Sequence, residues 1–289
     1  MEELILRCPA KINLFLEIRQ KREDGFHEIE SVMQALSLSD SLKIEKSDRP
    51  GVSLFCDDPS VPSDERNTAF RAASLFFERT GLPGGVSLFL DKKIPHEAGL
   101  GGGSSDAAAV LRGLNLLFDS RLSPEKLKEM AGEIGSDVPF FIEGGTQFAA
   151  GRGEILSPCP PLPDCTVLIV KDREGMSTPE AYRLTDERKN ETVRSCRPFL
   201  DAMSTSDLGK IAGEIYNGFE QVVFPIRPLC AERKAFLLSH GALTAWMSGS
   251  GTAMCGIFRE KEQAEKAAAL LTGSGSSCFI CHPVRSDLR

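Results

Sequence analysis

The segment Gly99-Leu100-Gly101-Gly102-Gly103-Ser104-Ser105-Asp106 puts four glycines into five consecutive positions, directly ahead of an alanine-rich stretch with helical periodicity. Glycines let a backbone approach an anion closely, and the free amides and dipole of a helix N-terminus favour negative charge there. Following a strand-like run, the segment therefore reads as a phosphate cradle. It is not a Walker loop, because no Gly-Lys-Ser/Thr follows, nor a dinucleotide fingerprint, because Ser104 stands where a third Gly or Ala is required. The competing reading is a flexible connector, which gives no reason for so well-formed a helix start.

Around this loop the chain reads as short strands mixed with helices. Ile12, Leu14, Leu16 and Ile18 alternate as in a half-buried strand, so Lys11 and Asn13 share the opposite face. Asp24-Gly25 signals a turn, and Val52–Phe55 and Val86–Leu90 predict further strands. Ala69, Ala72, Ala73 and Phe76 predict a helix beginning at Asn67 or Thr68. The phosphate-loop helix is expected after Ser104 or Ser105, with Ala107, Val110, Leu111, Leu114 and Phe118 as its apolar stripe. A third helix is capped by Ser123, carries Pro124 at its first position and ends at Gly135.

At Pro158-Cys159-Pro160-Pro161-Leu162-Pro163 four prolines in six residues permit neither a helix interior nor a central strand. A domain boundary is placed here, giving an N-terminal domain over 1–157 and a C-terminal domain over 158–289, which suits the 289-residue length. Beyond it come a buried strand at Thr166–Val170 and helices through much of Thr178–Ser239. The end reads as strand Leu243–Met247, turn, strand Ala253–Phe258, helix Glu260–Leu271 and strand Ser277–His282, a split β-α-β arrangement of the ferredoxin-like kind. The fold class is therefore α+β in two domains.

The net charge of −7 argues against partners held by attraction to a phosphate backbone, so no nucleic acid is expected. No apolar run reaches the roughly 18 residues of a membrane span. The acidic start Met1-Glu2-Glu3 is unlike a signal peptide. A cytoplasmic location without a membrane partner follows as the expectation. The nine cysteines are scattered and read as small buried thiols of a reducing compartment. Cys278 and Cys281 lie in a strand-like run, where a spacing of three sends them to opposite faces.

Phosphoryl transfer needs a carboxylate to orient and deprotonate the attacking hydroxyl, and a cation to steady the transferred charge. Asp137, in Gly135-Ser136-Asp137-Val138-Pro139, and Lys11 are the candidates. Read alone, Asp137 is a helix cap and Lys11 a solvated strand end. The run Arg19 to His27 either attracts an anionic substrate or is a solvated loop, and His27 is either a core hydrogen-bonder or a substrate contact. Ser248-Gly249-Ser250-Gly251-Thr252 is either a hairpin turn or a second phosphate or substrate contact.

Taken jointly, Pro9-Ala10-Lys11-Ile12-Asn13, Asp24-Gly25-Phe26-His27, the Gly99–Asp106 loop, Gly135-Ser136-Asp137-Val138-Pro139 and the Ser248–Thr252 turn resemble the GHMP kinase superfamily in order and spacing over nearly the whole chain. The resemblance implies a two-domain GHMP kinase fold, with an N-terminal domain like domain 2 of ribosomal protein S5. It implies an enzyme, a cytoplasmic monomer or homodimer, transferring the γ-phosphate of ATP, with Mg²⁺, to the 2-hydroxyl of a cytidyl diphosphate alcohol. Asp137 would be the general base and Lys11 its partner. Asn13 would hold the polyol or diphosphate, while Phe26 and His27 read the cytosine edge and Tyr182 stacks on that ring. Asn67 and Lys92 would line the adenine pocket, and Gly99, Leu100, Gly101, Gly102, Gly103, Ser104 and Ser105 would bind the phosphates. Three departures stand out: Phe26 replaces a common Tyr, His96-Glu97 replaces small or apolar residues, and no second acidic metal ligand is identifiable, so the metal ligands stay open.

Overall fold

The computed structural model describes residues 2–187 and 193–285. The first half is organised on a seven-stranded sheet built around two long antiparallel strands, β1 (Glu3–Lys21) and β2 (His27–Ser47). β3 (Gly51–Cys56), helix α1 (Thr68–Thr80) and β4 (Gly85–Asp91) follow. The phosphate-loop helix α2 (Gly102–Leu117), α3 (Pro124–Ile134) and the single turn α4 (Phe140–Glu143) come next, then the hairpin β5 (Thr146–Ala150) and β6 (Ile155–Pro158). The helices cover one face of the sheet. α1 buries Ala69, Ala72, Ala73 and Phe76, the residues its periodicity selected, and Asn67 caps it. α3 runs from a Ser123 cap to Gly135 as its Pro124 start signal predicts.

β1 extends beyond the alternating segment at both ends, and its other face is not solvated. From Cys8 to Ile18 every residue is buried, because both faces are covered: Ile12, Leu14, Leu16 and Ile18 join cores shared with the C-terminal half, while Lys11 lies against Gly101 and Asp137. Register shifts between Pro9 and Lys11, Asn13 and Phe15, and Ile18 and Lys21 re-aim side chains along the strand.

After the proline-rich connection come β7 (Thr166–Lys171), α5 (Thr178–Asp186), α6 (Arg197–Ser204), α7 (Leu208–Glu214), β8 (Tyr216–Asn217), α8 (Glu220–Val223) and α9 (Pro228–Ser239). β9 (Thr244–Met247), β10 (Met254–Phe258), α10 (Lys261–Gly273) and β11 (Ser277–Cys281) complete the chain. The order β11-β7-β10-β9, antiparallel throughout, is the split β-α-β sheet anticipated. Cys281 packs into the core between the halves and Cys278 against the core on the other side of this sheet, the two faces that their spacing requires. All nine cysteines are free thiols.

The two halves are not merely tethered. β8 leaves the C-terminal half and pairs in parallel with β1, Phe15 opposite Tyr216 and Leu16 opposite Asn217. The indole Nε1 of Trp246 on β9 donates to the Asn13 carbonyl at 2.7 Å. No helix among the described residues is long and apolar enough to cross a membrane.

Candidate active site

Residues 98–101 are clamped from both halves. The Lys11 amide donates to the Leu100 carbonyl at 2.9 Å, the Ala253 amide to that of Ala98 at 3.2 Å, and the Ser248 hydroxyl to that of Gly99 at 3.0 Å. Gly99 and Gly101 both have positive φ, 73° and 72°. A Cβ on Gly99 would lie 2.0 Å from the Ser248 carbonyl, and one on Gly101 2.9 Å from the Phe141 ring and 3.0 Å from Lys11 Cγ. Glycine is thus demanded by conformation and by close approach together.

α2 begins at Gly102, not after Ser104 or Ser105. Low glycine helix propensity hid this start, but the first turn packs closely against its neighbours. A Cβ on Gly102 would meet Ile94 at 3.1 Å, and one on Gly103 would meet Thr68 Oγ1 at 3.1 Å. Gly101 is the N-cap and supplies no side chain, and the first turn holds no acidic residue, so the amides at the head of α2 have neither intrahelical nor capping partners.

These amides open onto a cleft of about 980 Å³ between the halves, lined at its centre by Lys11 and Asp137. Lys11 is 3% exposed, so it is not a solvated strand end. Its Nζ donates to Asn13 Oδ1 at 2.6 Å and lies 3.3 Å from Asp137 Oδ2. The Asn13 amide donates in turn to Ser31 Oγ at 2.8 Å, and that hydroxyl to the Phe15 carbonyl at 2.7 Å. Asp137 lies in the turn between α3 and α4 and caps neither: α3 has Ser123, and Pro139 precedes α4 without a side-chain bond. Its carboxylate is more than one-third exposed to the cleft.

At one end of the cleft lie Thr68, Lys92, Ile94, Pro95 and His96. Lys92 Nζ is held at 2.5 Å by both Asp40 Oδ2 and Asp106 Oδ2. The Asp40 Oδ1 atom accepts the amides of Lys93 and Ile94 at 2.6 and 2.8 Å. Burial pushes the Asp106 carboxyl up to about 7 against the pull of Lys92, with the Asp40 charge adding to the rise. Asn67 caps α1 through Ala69 N at 2.8 Å and donates to the Pro62 carbonyl at 2.8 Å, so both ends of its amide are spent on nearby backbone. Its neighbour Thr68 is the residue of that segment that lines the cleft.

His96 and Glu97 acquire a role from the geometry. His96 Nε2 is 3.3 Å from Asp58 Oδ2. Glu97 adopts φ 47°, and its carboxylate packs against Gly175 so closely that a Cβ there would be 2.5 Å from Oε2. These residues set the turn before the phosphate loop beside Asp58 on one side and Gly175 on the other.

At the other end Phe26, His27 and Tyr182 gather. His27 is 7% exposed and Phe26 50%. The His27 and Tyr182 rings stack at 4.8 Å and 20°, and Phe219 meets Tyr182 edge-on at 5.0 Å. Burial pushes the Tyr182 hydroxyl up to about 12, and the charge of Asp137 adds to this. The 248–252 segment is the loop between β9 and β10; Gly249, Ser250 and Gly251 line the cleft, and Ser250 Oγ is 2.9 Å from Thr178 Oγ1. Asn217 shapes it by donating to the Met247 and Gly249 carbonyls at 2.6 and 2.8 Å.

Several cleft residues are not singled out by the sequence reading. The Arg152 guanidinium lies 4.8 Å from the Phe26 ring centroid, in the β5–β6 turn, between Gly151 and Gly153 at φ 70° and 113°. Two positive-φ glycines flanking an arginine between short strands were a legible hairpin signal. Asp186 joins His27 and Lys21; it lies four residues after Tyr182 on α5, a same-face spacing. Asp40 and Asp106 are linked only by the fold.

The family description "GHMP kinases N terminal domain" matches residues 67–145, and "GHMP kinases C terminal" matches residues 197–269. The chain is 39% identical to a 4-diphosphocytidyl-2-C-methyl-D-erythritol kinase of Gloeobacter violaceus, covering 97% of this chain and 94% of the relative. It is 42% identical to one of Syntrophomonas wolfei, over 91% and 92%. A crystal structure of 4-(cytidine 5'-diphospho)-2C-methyl-D-erythritol kinase superposes with TM-score 0.81 at 33% identity, covering 97% of this chain and 99% of that one. A homoserine kinase of Cytophaga hutchinsonii shares the fold, with TM-score 0.77 at 18% identity over 99% and 95%.

Proposed function

The chain belongs to the GHMP kinases, in the branch of the 4-diphosphocytidyl-2-C-methyl-D-erythritol kinases, and from that membership we propose how its cleft works. The activity is ATP-dependent phosphorylation of 4-diphosphocytidyl-2-C-methyl-D-erythritol at its 2-hydroxyl, in non-mevalonate isoprenoid precursor biosynthesis. One observation carries the reading: the Lys11–Asp137 pair stands between a capless helix N-terminus and an aromatic subsite in one continuous cleft.

The amides at the head of α2 grip the triphosphate, with the Gly99–Gly101 backbone held against it by the β9–β10 loop. The aromatic end takes the cytidyl group, His27 reading the base edge and Arg152 adding positive charge beside Phe26. The alcohol then lies at Asp137, whose carboxylate orients the hydroxyl and accepts its proton. The ammonium of Lys11, 3.3 Å from that carboxylate, balances charge on the phosphoryl oxygens during the step. Asn13 holds Lys11 at this position.

Among the described residues no group of three or more His, Cys, Asp or Glu is arranged as a metal site. Mg²⁺ would arrive on ATP, held mainly by phosphate oxygens, and the Ser105 hydroxyl, buried without a partner in the first turn of α2, and Asp137 are the protein oxygens that would hold it. When bound, Mg²⁺ would neutralise charge developing on the transferred group.

A coupled assay of ADP release tests the reading, with the cytidyl alcohol, homoserine and mevalonate compared side by side. Turnover of the cytidyl alcohol alone is expected. Activity on homoserine without activity on the cytidyl alcohol would overturn the assignment.

A further inference from the structure

His27 Nε2 lies 2.6 Å from Asp186 Oδ1, and the other oxygen of that carboxylate takes Lys21 Nζ at 2.5 Å. The three residues come from two places that the fold brings together. Lys21 and His27 are register partners closing the β1–β2 hairpin, and Asp186 stands on the last turn of α5. Tyr182, one turn earlier on α5, lies flat against the His27 ring. The imidazole is thus fixed in plane by the stack and in direction by the carboxylate. The bond to Lys21, with His27 adding to it, holds the Asp186 carboxyl below the usual carboxylate range.

An ionised carboxylate only accepts hydrogen bonds. At 2.6 Å from one, Nε2 must be the donor, which leaves Nδ1 of a neutral ring as an acceptor. Given the reading that the base of the substrate lies at His27, we infer that Asp186 is a specificity-determining positioning residue. By keeping the His27 proton on Nε2, it makes the cleft favour a pyrimidine with an exocyclic amino group over one with a carbonyl at that place. The amino group of cytosine donates to the Nδ1 lone pair. The carbonyl of uracil would set a lone pair against it and leave both atoms unpaired, which buried polar groups tolerate poorly. The cationic groups near this end do not interfere with this polarity: Lys21 is spent on Asp186, Arg183 on Glu187, and Arg152 lies over Phe26.

Two measurements test this. The first uses ¹⁵N ring shifts of the ligand-free protein, whose four histidines allow His27 to be identified from the His27→Gln spectrum. Near neutral pH, Nε2 is expected to carry the proton and Nδ1 to be of the unprotonated type, with the two forms mixing in Asp186→Asn. A proton on Nδ1 in the unmutated protein, in the other tautomer or in the imidazolium, overturns the inference without touching the kinase assignment.

The second compares kcat/KM for the cytidyl alcohol and its uridyl counterpart. Asp186→Asn is expected to narrow the preference by about tenfold or more, the worth of one hydrogen bond to a charged or aligned partner. The KM for ATP stays within about twofold. An unchanged preference in a variant that keeps its ATP affinity sinks the inference. Absence of turnover of the cytidyl alcohol by the unmutated protein sinks the proposed function instead, and the ring shifts then decide the role of Asp186 independently. If Asp186→Asn fails to fold, the ring shifts of the unmutated protein decide alone.

Discussion

Lys11 Nζ lies 3.3 Å from Asp137 Oδ2, the lysine almost fully buried on β1 and the aspartate open to the cleft from the turn before α4. The ammonium stands beside the carboxylate from within the fold, while the carboxylate stays open to a bound alcohol. Asp137→Asn keeps the shape and the bond to Lys11 but cannot take a proton. It should lower kcat by about 10²-fold or more with the KM for ATP nearly unchanged. Steady-state kinetics with the cytidyl alcohol check this, and near-normal turnover would remove Asp137 from the role of base.

Gly101→Val should damage catalysis as well as nucleotide binding. The position has φ 72°, and the added carbon meets Phe141 and the Lys11 stem before it meets any ligand. Both kcat should fall and the KM for ATP rise, accompanied by a drop in melting temperature that Asp137→Asn does not show. A rise in KM with unchanged kcat would mean that the loop accommodates the side chain without moving Lys11.

The Asp40–Lys92–Asp106 cluster ties stability to pH. Asp106 titrates near 3.8 when unfolded and is raised to about 7 in the folded chain. Between those values the folded state binds a proton that the unfolded state has released, so stability is greatest in acid and declines as pH rises through about 7. Asp106→Asn abolishes this titration while its amide still reaches Lys92. Urea unfolding across pH 4 to 8 should show a shallower loss of stability with rising pH in the variant; parallel curves would assign the proton elsewhere.

Arg152→Ala should raise the KM for the cytidyl alcohol several-fold, from loss of about 0.5–2 kcal/mol of cation–π and charge interaction, with kcat and the KM for ATP held. Arg152→Lys keeps the charge but not the planar group over Phe26 and should recover only part of the loss. Equal KM values in all three proteins would show that the guanidinium does no more than cover the ring.

The sequence was most legible where local chemistry and the fold agree. The α1 stripe, the Ser123 and Pro124 start of α3 and the β9-β10-α10-β11 order follow from periodicity and capping, and the structure has them within one or two residues. The α2 start was displaced because glycine is a poor helix former, and the packing that demands glycine there comes from Ile94 and Thr68. Lys11 reads as a strand end until the fold sets Asn13, Gly101 and Asp137 around it. The partners of Lys92 lie 52 and 14 residues away, and that of His27 lies 159 away, spacings that no local pattern encodes.

The two-residue strand at Tyr216–Asn217 has a consequence for how the enzyme handles its ligands. A piece of the C-terminal half completes the sheet of the N-terminal half alongside the strand that carries Lys11. Wide hinging would have to tear that pairing and pull Asn217 from the loop that seats Gly99. The cleft therefore behaves as a fixed mould, admitting and releasing substrates through its open ends and mobile side chains. Cutting the chain at its prolines would yield two sticky, incomplete fragments instead of two working modules.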